Sequence, residues 1–205
     1  RDGATPLHWA CAGANSKEFG TGGHYELCQY LLSQCEKEAM AISTKELVNE
    51  QTKDGNTPLM WAAWSSSLDT VKLMVRHRAK WDLSNRNGCT VAHWAASGGN
   101  LEVCKYLGEI VGVDFFAPNH GGNTPLTHAV AFGRLDVVQW LRERAAVLEE
   151  DQDHLIAKQL AADFATWRDE QSGSDAFQRK KILKLFDTLR VTQSIDPVMD
   201  LHIVL

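Results

Sequence analysis

The chain has 205 residues, 44% of them hydrophobic, and carries 21 Lys and Arg against 26 Asp and Glu, a formal charge of −5. That balance argues against nucleic acid as a partner, because phosphate binding needs an excess of clustered cations. No run of 18 apolar residues reads as a membrane span, and no signal peptide opens the chain. The five cysteines, Cys11, Cys28, Cys35, Cys89 and Cys104, are odd in number and contain no Cys-x-x-Cys pair. They read as reduced thiols acting as small buried hydrophobes, which places the protein inside the cell, in cytoplasm or nucleus, with an organelle also compatible.

In chain order, the first predicted element follows the turn Asp2-Gly3. The phrase TPLHWACAG (Thr5–Gly13) starts a short helix, with Thr5 as its N-cap and Pro6 at the first helical position. The phrase returns as TPLMWAAWS from Thr57, TVAHWAASG from Thr90 and TPLTHAVAF from Thr124. Each copy follows a turn: Asp54-Gly55, Asn87-Gly88 and Gly121-Gly122. Glycine supplies the positive φ such turns need. A second phrase follows each first one, from Gly23, Ser66, Gly99 and Gly133, with apolar residues at helical spacing such as Leu135, Val138 and Leu141. Thr57 and Thr90 lie 33 residues apart, Thr90 and Thr124 lie 34 apart, and Thr5 and Thr57 lie 52 apart, one period plus insertions.

Turn-Thr-Pro-Leu-His-x-Ala followed by Gly-x-Leu-Glu-Val resembles the ankyrin repeat, over roughly Arg1 to Arg144. The resemblance implies an all-α solenoid of four repeats, 1–53, 54–86, 87–120 and 121–147. It also implies paired antiparallel helices with hairpin fingers projecting from them, and His8 and His93 as structural histidines that tie the turns together by hydrogen bonds. His128 stands one place further along and falls outside that role. A single unit cannot bury its apolar faces alone, so neighbours must stack.

Two insertions mark the first repeat. Ala14–Thr21 is polar and glycine-bearing and reads as a surface loop; the Gly20–Gly23 run has no Gly-Lys-Ser/Thr after it, so it is not a phosphate loop. The second, within Cys35–Lys45, extends the second helix and loops back before Glu46. Residues 148–193 read as a degenerate capping helix pair. One helix is capped by Asp153 and the other by Asp175; Arg179, Lys180, Lys181 and Lys184 lie on a solvated face. Residues 194–205 form an apolar tail ending Ile203-Val204-Leu205, expected to dock on this chain or a neighbour. Arg1-Asp2-Gly3 already lie within a turn. A solenoid end needs a polar cap, so the expectation is that the protein extends further toward its N-terminus or that another chain covers this end.

The search for chemistry finds no His-Glu-x-x-His, no Gly-x-Ser-x-Gly and no paired cysteine ligands. The chain therefore reads as non-catalytic, with no metal and no cofactor. Its expected role is protein–protein recognition, as an adaptor or peripheral subunit of a larger assembly, with a protein or peptide partner. Trp9, Trp61 and Trp94 share one slot on the first helix, taken by His128 in the fourth copy. The rings either fill the seam between repeats or stand in the groove as anchors. In ankyrin repeats the variable fingers and adjacent inner-helix face carry specificity, which makes Lys53, Asp54, Asn56, Arg86, Asn87, His120 and Asn123, with Trp61, Trp64 and Trp94, the candidate partner-binding residues. Trp64 sits where other copies have Ser97 or Ala131. Two alternatives stand beside this reading. One is a regulatory ankyrin fragment of a longer enzyme. The other is a reader of methyl-lysine or a cationic peptide through an aromatic groove: Trp61 and Trp94 are similar to cage tryptophans in the ankyrin domain of the euchromatic histone lysine methyltransferases. Asn56 departs from another cage tryptophan of that family, and Trp64 from its cage acid, which a cation site would use.

Overall fold

The computed structural model describes residues 2–13, 25–37, 43–65 and 67–147. The insertion Ala14–Thr21, part of the second insertion, the proposed capping pair 148–193 and the tail 194–205 lie outside the described residues. The helices are α1 (Pro6–Ala12), α2 (Tyr25–Lys37), α3 (Thr44–Leu47), α4 (Pro58–Trp64), α5 (Leu68–Arg76), α6 (Val91–Gly98), α7 (Leu101–Lys105), α8 (Pro125–Ala131) and α9 (Leu135–Val147). Among the described residues there is no strand, only an isolated antiparallel bridge between Ser84 and Thr90. Among the described residues no helix is long and apolar enough to cross a membrane.

Among the described residues four helix pairs repeat: α1 with α2, α4 with α5, α6 with α7, and α8 with α9. The inner helices form one row, α1 against α4, α4 against α6 and α6 against α8. The outer helices form another, α2 against α5, α5 against α7 and α7 against α9. This is the solenoid the periodicity implies, and the fold is all-α. Burial along the phrase explains the stacking. Places three, four, six and seven are buried in all four copies: Leu7, His8, Ala10 and Cys11 in the first, and Leu126, Thr127, Ala129 and Val130 in the last. Alanine at place six lets the helices approach closely while the flanking larger residues fill the seams.

The starts of the inner helices differ in detail. The hydroxyls of Thr57 and Thr124 accept the N–H of the third helical residue, at 3.3 Å from Met60 and 3.3 Å from Thr127. At Thr5 and Thr90 the hydroxyl instead meets a histidine, a difference that belongs to the tie described below. The second insertion also differs from expectation. Chain residues 44–47 are helical rather than part of the returning loop, because Ser43 and Glu46 make a capping box. The Ser43 N–H donates to Glu46 Oε2 at 2.8 Å, and the Glu46 N–H to Ser43 Oγ at 3.3 Å.

The 34-residue period between Thr90 and Thr124 has a structural counterpart. Arg78 and Gly112 both close an outer helix in the left-handed region, at φ 65° and 86°. Both stand twelve residues before the next Thr (90 − 78 and 124 − 112). The additional residue therefore falls within the outer helix, where Tyr106–Val111 widens into a π-helix after α7. A π-turn is the usual way a helix takes up one extra residue. Ile110, in this stretch, is thrust outward and is 74% exposed. Gly108 gives the widened turn room, since a Cβ there would stand 3.1 Å from Trp140 and 3.3 Å from Phe115.

Candidate partner-binding surface

The fingers are joined by a backbone ladder. Lys53 N–H donates to Asp2 O at 2.8 Å, Arg86 N–H to Asp54 O at 2.9 Å and His120 N–H to Asn87 O at 3.0 Å. Each finger thus rests on the one before, at an equivalent place in its turn. The approach is closest at Gly88: a Cβ there would lie 2.8 Å from the His120 backbone nitrogen, so only glycine fits at its φ of 76°. His120 adds a side-chain bond, Nδ1–H to Arg86 O at 3.1 Å.

Histidine ties join fingers to inner helices. His8 Nε2 faces the carbonyl oxygen of Asn56 at 3.0 Å, and His93 Nε2 faces that of Asn123 at 2.9 Å. A carbonyl only accepts, so Nε2 carries the proton and Nδ1 is bare. Nδ1 of His8 accordingly accepts both the N–H and the hydroxyl of Thr5, at 3.1 and 2.9 Å; His93 does the same with Thr90. Burial pushes both histidines below their ordinary value, partly offset by the bond to the carbonyl, which suits a neutral ring. In the second copy Met60 takes the histidine place. Its sulfur accepts the Thr57 N–H at 3.4 Å, but it has no proton to send to the next finger. His128, as the sequence indicates, makes no such tie. Ser97 Oγ donates to His93 O at 2.9 Å, so its oxygen accepts from His128 Nδ1 at 3.0 Å.

With four places of the phrase buried throughout, the open face of the inner row is built from place five, with Trp64 at place eight and Phe132 at place nine; Ser97, at place eight of the third copy, is buried. Place five holds Trp9, Trp61, Trp94 and His128, and all are at least partly exposed. The slot combines ring contacts in the seam with partial exposure. Trp61 is half-buried, its ring meeting His8 at 5.3 Å and Trp9 at 5.2 Å in perpendicular contacts, while part of it stays open. Its indole Nε1 is buried and has no hydrogen-bond partner among the described residues. Trp64, at place eight, is 39% exposed, and Phe132, at place nine of the last copy, is also exposed.

The candidate residues therefore fall into two neighbouring groups. Lys53, Asp54, Arg86, Asn87 and His120 are exposed along the finger ladder, and Trp61, Trp64 and Trp94 lie on the inner row behind them. Asn56 and Asn123 are less available. Both carbonyls hold the histidines, and Asn56 Oδ1 accepts from Asn85 Nδ2 at 2.9 Å. Trp9 is the most open of the place-five rings and was absent from the candidate set; the repeated slot marked its position but not its exposure.

All five cysteines are buried, and burial pushes Cys104 up to about 12, the behaviour of an inert packed thiol. Among the described residues no cluster of three His, Cys, Asp or Glu side chains is placed to hold a metal ion.

A family model described as ankyrin repeats (3 copies) matches residues 1–107 and again 67–152. Over 105 residues, 50% of this chain, the sequence is 30% identical to the mitochondrial liver isoform of glutaminase from Rattus norvegicus, and equally to that from Mus musculus. It is 31% identical over 123 residues, 52% of this chain, to the transient receptor potential cation channel subfamily A member 1 of Homo sapiens. The matched stretch spans 17% of each glutaminase and 11% of the channel.

Proposed function

The chain belongs to the ankyrin repeat family, and on that premise we propose that it is a recognition module without catalysis of its own, an adaptor or peripheral subunit of a larger assembly. Ankyrin repeats generally mediate protein–protein interaction, on a fold that is itself non-catalytic. The proposed partner surface runs along Lys53, Asp54, Arg86, Asn87 and His120, with Asn56 and Asn123 at its edge and Trp61, Trp64 and Trp94 behind. Loops held on a rigid scaffold suit that task. One observation carries the reading: Trp64 is 39% exposed at a place that Ser97 and Ala131 fill elsewhere, so packing does not require a large ring there. Exposed aromatic rings beside a polar rim are the usual anchors of an interface.

The test is to purify the intact protein with whatever binds it, then measure the affinity of that partner for Trp64→Ala. The melting temperature should stay nearly unchanged, and binding should weaken by about 2 kcal/mol or more. If the variant unfolds while affinity per folded molecule is unchanged, the ring belongs to the core and the groove reading fails.

A second reading, a regulatory ankyrin part of a longer enzyme, is favoured by the glutaminase relatives, in which the matched stretch is 17% of the protein. The full-length reading frame tests it: a catalytic domain encoded in line with these repeats would support it, and a frame holding repeats alone would exclude it.

A further inference from the structure

Two thiols meet inside the first helix pair. Cys11 of α1 and Cys28 of α2 are both fully buried, and their sulfurs stand 3.8 Å apart in hydrogen-bonding contact. At the same two places the later pairs hold Ala63 with Val71, Ala96 with Cys104 and Val130 with Val138, all buried. Packing at this contact therefore asks only for small apolar groups, and several combinations meet it. Of the four pairs, only the first sets a thiol against a thiol at these places.

The contact changes the chemistry of the pair. Cys104 takes the place of Cys28 in its own repeat, with Ala96 at the place of Cys11, and burial pushes its thiol up to about 12. In the first pair a hydrogen bond from Cys11 lowers the Cys28 thiol below its ordinary value, against the effect of burial, and the same bond raises Cys11. The thiolate is the reacting form. Of two cysteines at one place in the repeat, Cys28 is thus the more easily oxidised, and it has a second thiol beside it.

We propose that Cys11 and Cys28 form a site of reversible oxidation, joined by hydrogen peroxide into a disulfide that ties α1 to α2. Cys28, as thiolate, attacks the peroxide: a sulfur–oxygen bond forms, the oxygen–oxygen bond breaks, and the leaving hydroxide takes up the thiol proton as water. Cys11 then attacks the sulfenic sulfur of Cys28. The sulfur–sulfur bond forms, the sulfur–oxygen bond breaks, and the hydroxyl leaves with the Cys11 proton as a second water. Two thiols and one peroxide become one disulfide and two waters, with two electrons passing from sulfur to oxygen. Both sulfurs are buried, so the first step takes place as the helix pair opens locally, and reclosing returns Cys11 to the sulfenic acid. From 3.8 Å, the sulfurs must approach by about 2 Å to bond. The Cys11 carbonyl also accepts Ser65 Oγ at 2.9 Å, so the tie bears on the first seam as well.

The test exposes the reduced full chain to hydrogen peroxide without denaturant, then alkylates it and maps its cysteines by peptide mass spectrometry. A peptide linking Cys11 to Cys28 should appear, the two thiols should be consumed at least about tenfold faster than Cys104, and dithiothreitol should restore both. The oxidised chain should melt about 3 °C or more above the reduced one. Cys11→Ala, which installs the residue of the second and third copies, should abolish the link and leave Cys28 as a sulfenic acid that dimedone traps. Cys104→Val, the residue of the second and fourth copies, should leave the link unchanged. The proposal is overturned if Cys11 and Cys28 stay reduced, if Cys104 is consumed as fast, or if the link forms only after denaturation. A link that forms but lowers the melting temperature overturns it equally, since α1 and α2 would not then be tied in their native packing.

Discussion

His8 of α1 and Asn56 of the following finger are bonded across the first seam: His8 Nε2–H donates to the Asn56 carbonyl at 3.0 Å, and the same oxygen also accepts the Thr52 N–H at 2.9 Å. One imidazole therefore fixes the start of its own helix through Thr5 and the position of the next finger through Asn56. Replacing His8 by Ala removes both ties and leaves a cavity at a fully buried site. We expect a loss of about 2–4 kcal/mol of stability, measured by urea unfolding. A loss below about 0.5 kcal/mol would show that the seam holds through apolar packing alone.

Met60 offers the converse experiment. Its counterparts His8 and His93 each reach a carbonyl that also accepts a backbone N–H, and Cys89 O, the carbonyl it would reach, has only the Asn85 N–H at 3.0 Å. Met60→His should supply the missing tie to the third finger and raise stability by about 1 kcal/mol. Unchanged or lower stability in thermal melts would mean that the second seam has no room for the imidazole.

Acid should weaken the third seam. In the unfolded chain His128 titrates near 6.5; folded, burial first and then the neighbouring His93 hold it to about 4. The unfolded state then binds more protons between those two values, so stability is full above pH 6.5 and is lost as pH falls toward about 4. His8 and His93, lowered by burial, act in the same direction. His128→Trp, which restores the residue of the other three copies, should shrink the drop in melting temperature between neutral pH and about pH 5. An undiminished drop would assign the acid sensitivity to other groups.

Deleting Ile110 should be tolerated. One residue removed from a helix ordinarily shifts every later side chain by 100° around the axis. Here the deletion returns the unit to the 33-residue period between Thr57 and Thr90, and the π-turn becomes an ordinary α-turn. We expect a folded protein with a melting temperature within about 3 °C of the parent. Deletion of Val138, buried in α9, serves as the contrast and should unfold the last pair. If both deletions unfold the array, the widened turn is required for packing.

Much of this was legible because its causes are local. Gly-containing turns, Thr caps and proline at the first helical position act over four or five residues, and the period repeats them. The Ser43-x-x-Glu46 capping box of α3 is equally local, yet in sequence the stretch reads as a returning loop, and the helix comes to light only in the structure. The spacing of 34 announced an extra residue but not its location, which depends on how Gly108 fits beneath Trp140 and Phe115.

The identity of the fold, the register of its helices and the recurrence of the tryptophan slot follow from the amino-acid sequence by itself, since each rests on nearest-neighbour patterns along the chain. Tertiary structure decided which of those equal slots are open. Trp9 and Trp61 occupy the same place in nearly the same phrase, and one is 61% exposed while the other is packed between His8 and Trp9. Burial in a solenoid is a property of the seam between two units, so a residue's exposure is set by the pair that stacks in front of it.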